Sequence, residues 1–449
     1  MELKVSDIAA VTGGEIINEC GDDIIVTEIT TDSRKADKNT LFVPLIGEKV
    51  DGHQFVLSAG ENGCRVSLTQ NDEIVDNITL IKTENNEKAL GDIAAFLLKK
   101  NNPFKIAVTG SVGKTTTRDM IFSVVSKWGK SLRTDGNFNN NIGLPLTVFR
   151  LTDEKCVVLE MGMDKRGEID YLSSIVRPDI GVITNIGYSH IEKLGSRDNI
   201  LAAKAEMINN ISDGGFLILN GDDMYLRKLK GTTDKKLIYF GCDNKDCDVK
   251  FNIIDENDGV FEIDKSRFRS GLPGKHNIYN AVAAIIIGRY LNLPDDKIRE
   301  GLEECKYTKL RLDFIDKDGF TVIEDCYNAS PDSMKASLKV LAATDKKRKI
   351  AVLGSVNELG EYHDSLLYDV GKFVSELGID MLITVGDEAL PINKGAEECG
   401  FETCINLKNN DEAKKYIKEN IRNGDIYLVK GSRGFKMEEI CNYLLGREE

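Results

Sequence analysis

The chain has 449 residues, of which 41% are hydrophobic and 29% charged, and its formal net charge is −14. A globular protein of two to four domains, each of roughly 100–200 residues, fits these numbers. The acidic balance argues against a nucleic-acid footprint, which is normally basic, and no run approaches the roughly 18 apolar residues of a membrane span.

In chain order, residues 1–82 carry short strand-like runs, "DIIVTEIT", "TLFVPLIG" and "ITLIKT", with turn residues between them. From about residue 103 the pattern changes. "KIAVTG", "KCVVLEMG", "IGVITNIG" and "GGFLILN" are continuous β-branched runs separated by helical stretches, as in a parallel sheet covered on both faces. "RKIAVLGS", "DMLITVGD" and "DIYLVKGS" repeat that style towards the C-terminus. The expectation is an α/β chain of three domains: a small N-terminal α/β domain (1–82), a central domain with a mainly parallel sheet (83–310) and a Rossmann-like C-terminal domain (311–449). Ligands of such sheets lie beyond the carboxyl ends of the strands. The N-terminus lacks a signal-peptide pattern. Ten cysteines, Cys20 among them, form no C-x-x-C pair, so reduced thiols in a cytoplasmic protein are expected.

The strongest local signal is "AVTGSVGKTTTRDM". Gly110, Ser111, Val112 and Gly113 form a glycine turn between a strand and a helix that is predicted to run from Lys114 to Trp128. The turn is shorter than the general G-x-x-x-x-G-K-[ST] loop, but backbone N–H groups and a helix N-terminus still cradle phosphate. Lys114 would reach the outer phosphates, Thr115 would ligate Mg²⁺, and Thr116 continues the cradle. Glu160 ends the buried strand "KCVVLEMG", where a phosphate-loop enzyme places a magnesium partner; an ordinary strand-end carboxylate is the alternative. His190, one of four histidines, lies beyond the same sheet edge and reads either as a ligand or as a structural residue. Lys204 in "NILAAKAEMI" reads as a solvated helical lysine, except that alanines flank it. Asn280 can offer an adenine two hydrogen bonds, and its neighbour Asn277 reads equally as a helix cap. Arg311 precedes a strand, Asp325 at a strand tip suits a ribose hydroxyl, and Asn137 and Asn140 lie in an asparagine-rich turn.

Taken together, "TGSVGKTTTRDM", "GNFNNNIGLPLT", "VVLEMGMDKRGEI", "NIGYSHIEKLGS", "AKAEM", "GKHNIYNAVAA" and "DCYNASPDSM" resemble, in order, the motifs of the Mur ligase family, ATP-dependent amide-forming ligases of peptidoglycan precursor synthesis. "TTDSRKADKNTLFVPLIGEKVDGHQF" extends the resemblance into the first domain. The resemblance implies that ATP binds the central domain through residues 110–116, Asn280, Arg311 and Asp325. It also implies two magnesium ions held by Thr115, Glu160, His190 and Lys204, the last carbamylated. Ser33, Arg34, Asn137 and Asn140 would meet the UDP-substrate. Lys114, Glu160, His190 and Lys204 would be catalytic. The "TGSxGKTTT" and "YNASPDSM" variants point to the branch that joins D-alanyl-D-alanine to UDP-N-acetylmuramoyl-tripeptide, working as a monomer. A sister ligase adding the third amino acid, or a non-catalytic nucleotide-binding protein, is the alternative. A GTPase would want an N-K-x-D motif, which is absent. One departure stands out: the family's "G-D-M-x-E-L-G" is "GSVNELG" here, with Ser355 in place of aspartate and Glu358 kept.

Overall fold

The Val, Ile and Leu runs of the sequence become parallel strands because both faces of each sheet are covered by helices. The computed structural model describes residues 1–19 and 24–447; Cys20 lies outside them. The N-terminal sheet has five strands in the order Glu15–Asn18, Thr79–Lys82, Val66–Thr69, Thr40–Phe42 and Glu28–Thr30. Its first pair is antiparallel and the others are parallel.

The central sheet is parallel throughout. Its seven strands run Val249–Lys250, Lys236–Gly241, Phe216–Asn220, Ile180–Ile183, Phe104–Thr109, Cys156–Glu160 and Ser131–Arg133. From Phe104–Thr109 the chain first builds one side of the sheet and then crosses to Ile180–Ile183 on the other. The loop after Phe104–Thr109 therefore opens into a crevice between neighbouring strand ends, the usual ligand position in such sheets. The helices Lys114–Val125 and Lys275–Tyr290 pack against each other on one face. The first of them ends at Val125, three residues before the predicted end, where Lys127 N–H and Trp128 N–H turn back to Val124 O and Val125 O.

A three-stranded antiparallel sheet, Asn252–Asp255, Val260–Ile263 and Ser266–Arg269, interrupts the alternation expected for 103–310. It buries Phe261, Ile263 and Phe268 in the same apolar cluster as Ile106 and Ile278. The C-terminal sheet has six strands in the order Asp313–Lys317, Phe320–Glu324, Asp425–Lys430, Arg348–Leu353, Met381–Val385 and Cys404–Leu407, with only the first pair antiparallel.

The connection between the central and C-terminal sheets is tied down on one side. Arg118, buried in the helix after the phosphate loop, bonds Asp119 Oδ1 through Nε at 2.9 Å and Nη2 at 2.6 Å, and Thr308 Oγ1 through Nη2 at 2.8 Å. Thr308 N–H and Oγ1 both donate to Asp119 Oδ2 at 2.9 Å. Just beyond, Leu310 and Leu312 adopt left-handed backbone angles, φ +64° and +53°, which a leucine enters only at a cost.

Asp119→Ala is expected to leave the Arg118 guanidinium buried without its main partner and to cost about 3–5 kcal/mol. Urea unfolding followed through Trp128, the single tryptophan of the chain, reads the central domain and checks this.

Candidate active site

The phosphate loop is held by close approaches that exclude side chains. A Cβ on Gly110, at φ +149°, would lie 1.9 Å from Thr184 Oγ1, and one on Gly113, at φ +85°, would lie 2.9 Å from Asn280 Oδ1. The end of the neighbouring strand braces the loop from below. Asn185 takes Ser111 N–H on its carbonyl and Val112 N–H on Oδ1, while Thr184 Oγ1 and Asn185 Nδ2 donate to Val112 O. The free N–H groups of the helix that starts at Lys114 face outward from this braced turn. Lys114 Nζ folds back onto Gly110 O at 2.7 Å. Burial pushes its pKa down and Arg311 adds to that, while the carboxylates of Glu160 and Glu358 oppose it.

A cleft of about 860 Å³ opens over the loop, lined by residues 111–116, Glu160, His190, Asn280, Arg311 and Asp325, with Asn137 and Asn140 also on its wall. Glu160 is buried, its Oε1 accepting from Asn139 Nδ2 at 2.8 Å and its Oε2 lying 3.3 Å from Arg118 Nη1. Arg311 donates from Nη2 to Thr115 Oγ1 at 3.1 Å and lies over the Tyr327 ring, 4.4 Å from its centroid. Asp325 Oδ2 accepts from Lys430 Nζ at 2.7 Å. Asn280 already gives Oδ1 to Thr117 Oγ1 and one Nδ2 hydrogen to Asn277, which leaves it one donor hydrogen and one lone pair for a ligand. Asn277 is not the helix cap: Gly274 holds that place, and Asn277 Nδ2 donates to Pro273 O at 2.8 Å. Asn140 Oδ1 takes Gly143 N–H at 2.8 Å and orders the asparagine-rich turn.

Lys204 is not solvated. Its side chain, on the helix Arg197–Ala205, is 1% exposed and makes no hydrogen bond or ion pair among the described residues. Burial first, and the nearby Lys114 ammonium second, hold its pKa well below the ordinary lysine range. His190 Nδ1 lies 2.5 Å from Glu358 Oε2, out of line for a hydrogen bond. Ser33 and Arg34 are not brought to the cleft. They form a one-turn helix in the N-terminal domain, where Arg34 Nε and Nη2 pair with Asp32 at 2.8 and 2.9 Å.

Five buried side-chain atoms among the described residues lack a hydrogen-bond partner, and three of them, Ser111 Oγ, His190 Nδ1 and Arg311 Nε, belong to cleft residues. Such atoms are costly to leave unmatched. A polyanion supplies acceptors for Ser111 Oγ and Arg311 Nε, whereas His190 Nδ1 is faced by the Glu358 carboxylate, so a metal on this ring would take Nε2. Several contributors escape notice in the sequence. Arg118 and Asn139, which orient Glu160, stand within the phosphate-loop and asparagine-rich motifs but are not singled out by them. Lys430 ends the strand "DIYLVKGS" and has the same strand-tip signal that marks Asp325. His276 also lines the cleft; burial and the nearby Lys430 push its pKa down to about 4 against the pull of Asp325, so its ring is neutral at pH 7.

Comparison with known proteins matches this arrangement over its whole length. The Mur ligase family catalytic domain matches residues 25–101, the Mur ligase middle domain 108–288, and the Mur ligase glutamate ligase domain 310–433. The chain belongs to the Mur ligase family. It is 36% identical to the UDP-N-acetylmuramoyl-tripeptide–D-alanyl-D-alanine ligase of Bacillus subtilis, covering 99% of both chains. The crystal structure of MurF from Acinetobacter baumannii superposes with a TM-score of 0.92 at 31% identity, covering 99% of each chain. MurF of Thermotoga maritima, solved with ADP, superposes at 0.84 with 26% identity, over 94% of this chain and 97% of that one. The departure at "GSVNELG" sits beside the cleft. Ser355, where the family usually has aspartate, is buried with Oγ 3.0 Å from His363 Nε2 and donating to Glu388 O.

The unfolded chain protonates its histidines below about pH 6.5, whereas His276 stays neutral until about pH 4. The stability this confers is complete above pH 6.5 and is lost as the pH falls, by about 3 kcal/mol at pH 4. His276→Gln is expected to remove that part of the pH dependence, measured as urea unfolding of variant and parent at pH 7 and pH 4.

Proposed function

We propose that this chain is an ATP-dependent ligase that joins D-alanyl-D-alanine to UDP-N-acetylmuramoyl-tripeptide. The observation that carries the reading is the cleft itself: a phosphate loop with its lysine, a buried carboxylate and an imidazole line it together with unmatched polar atoms, and the buried Lys204, close enough to feel the Lys114 charge, lies behind that lining. The full-length likeness to ligases of that name supports the choice of substrates.

The chemistry explains the cleft. A carboxylate is a poor acylating group because its leaving group would be oxide. Transfer of the γ-phosphoryl group of ATP to the carboxylate oxygen releases ADP and makes phosphate the leaving group. The dipeptide amine then attacks the acyl carbon, loses a proton, and yields an amide and inorganic phosphate. No covalent bond to the protein is required.

In this reading Lys114 leaves Gly110 O for the outer phosphates, and the N–H groups at the start of its helix hold their oxygens. Arg311 Nε and Ser111 Oγ gain the acceptors they lack. Asn280 presents its remaining donor to the adenine, and Asp325 with Lys430 faces the ribose. Thr115, Glu160, His190 and Lys204 would hold two magnesium ions, with Lys204 carrying a carbamate. Magnesium in that place offsets the repulsion between triphosphate and incoming carboxylate. Burial favours the neutral amine of Lys204, the form that reacts with CO₂, and the resulting anion would relieve its proximity to Lys114. Residues 1–82, with Ser33 and Arg34, would take the uridine diphosphate end. Asn137 and Asn140 would face the rest of the acceptor, and residues 311–449 would bring the dipeptide. The cleft is complete within one chain, as a monomer requires, and no helix among the described residues is long and apolar enough to cross a membrane.

The test is phosphate release with UDP-tripeptide and D-alanyl-D-alanine, alongside UDP-dipeptide with lysine or diaminopimelate. Product is expected only in the first pair; product only in the second would make the chain a sister ligase. Lys114→Ala is expected to lower kcat at least about 100-fold. Lys204→Ala is expected to lose comparable activity and to regain part of it with formate or acetate, which return the missing anion.

A further inference from the structure

The C-terminal domain rests on the segment that carries His190, and the contacts are specific. Glu358 O accepts Glu192 N–H at 3.1 Å, and Tyr362 OH donates to Gly195 O at 3.2 Å. A Cβ on Gly360 would lie 3.0 Å from Glu192 Cγ. Asp332, from the same domain, accepts Tyr188 N–H on Oδ2 at 3.1 Å. In the middle of this seam Glu358 Oε2 lies 2.5 Å from His190 Nδ1, with Asp164 Oδ1 3.5 Å from the same nitrogen. Lys193 Nζ sits 2.9 Å from Asp164 and 4.0 Å from Glu358. Both His190 and Glu358 hold left-handed backbones, φ +65° and +64°, a costly conformation, and their side chains meet across the seam. Glu358 is close enough to the phosphate loop for its charge to act on Lys114.

We propose that Glu358 is a positioning residue that holds the His190 imidazole from the C-terminal domain, so that His190 takes its cation-binding orientation only when that domain is docked. This rests on the proposed role of His190 as a metal ligand. By reciprocity, a divalent cation bound at His190 favours docking to the same extent that docking favours the cation. Cation binding and closure over the substrates then become one event, and the "ELG" part of the departed motif has a purpose that does not depend on the aspartate missing at 355.

The experiment uses the full chain with Mn²⁺ as the probe and a non-hydrolysable ATP analogue. Free Mn²⁺ is read by electron paramagnetic resonance and the radius of gyration by small-angle scattering. Glu358→Gln keeps the shape and removes the charge. It is expected to raise the Mn²⁺ Kd about 10–100-fold, the usual effect of losing a partner that orients a metal-bound histidine, and to leave the particle more expanded. Glu358→Asp is expected to recover part of both. If His190→Asn weakens Mn²⁺ binding while Glu358→Gln leaves affinity and radius unchanged, the proposal is overturned and the metal reading stands. If neither substitution weakens Mn²⁺, the reading of His190 as a ligand fails and the proposal falls with it.

Discussion

A guanidinium in a protein interior must find an acceptor for nearly every N–H or destabilise the fold. Arg118 meets that demand by drawing four parts of the chain to one point. Its partners are Asp119 on its own helix, Gly136 in the asparagine-rich turn, Glu160 at a strand tip and Thr308 at the exit to the C-terminal domain. The phosphate-loop helix, the buried Glu160 carboxylate, the asparagine-rich turn and the interdomain connection thus share one set of hydrogen bonds. Arg133 adds a second cation at 2.8 Å from Asp119 Oδ1, so the two carboxylates at this point do not stand as uncompensated like charges.

The cleft is built to be incomplete. Lys114 and Lys204 both have their pKa values pushed down by burial; the Lys114 ammonium adds to the shift at Lys204, and Arg311 adds to the shift at Lys114. A buried lysine without a partner is tolerated where an anion is due to join it. Ser111 Oγ and Arg311 Nε are left without partners for the same reason. The protein has arranged its donors ahead of the ligand, which is how an active site stabilises developing charge without reorganising at the moment of reaction.

Much of this was legible in the sequence because the chemistry is local. Gly110 to Thr116 form a contiguous strand–turn–helix signal, and Glu160, His190 and Asp325 stand at the tips of apolar runs. The three-domain α/β organisation followed from those same runs. What was not legible depends on contacts between distant segments. From its local pattern alone Lys204 reads as a surface residue, because flanking alanines say nothing of what packs over them; only the resemblance to the family singles it out as a functional lysine. Arg118 stands inside the phosphate-loop motif, but nothing in that motif says that its guanidinium turns inward to Asp119, Glu160 and Thr308. The sheet of residues 252–269 consists of short alternating strands inside a stretch otherwise patterned for parallel sheet, and only the buried Phe261 and Phe268 reveal its inner face. Ser33 and Arg34, assigned by resemblance, lie in a different domain from the cleft, so no cleft geometry bears on them.

The joint at residues 308–312 is made of leucines where a flexible hinge would use glycine. A glycine swivels through a wide range of angles, whereas Leu310 and Leu312, now in the small left-handed well, have otherwise only the β and right-handed helical basins at negative φ, separated by steric walls. Movement of the C-terminal domain through this joint must therefore step between a few discrete postures. With Thr308 clamped on one side and Arg311 reaching Thr115 on the other, the joint works like a latch with set positions.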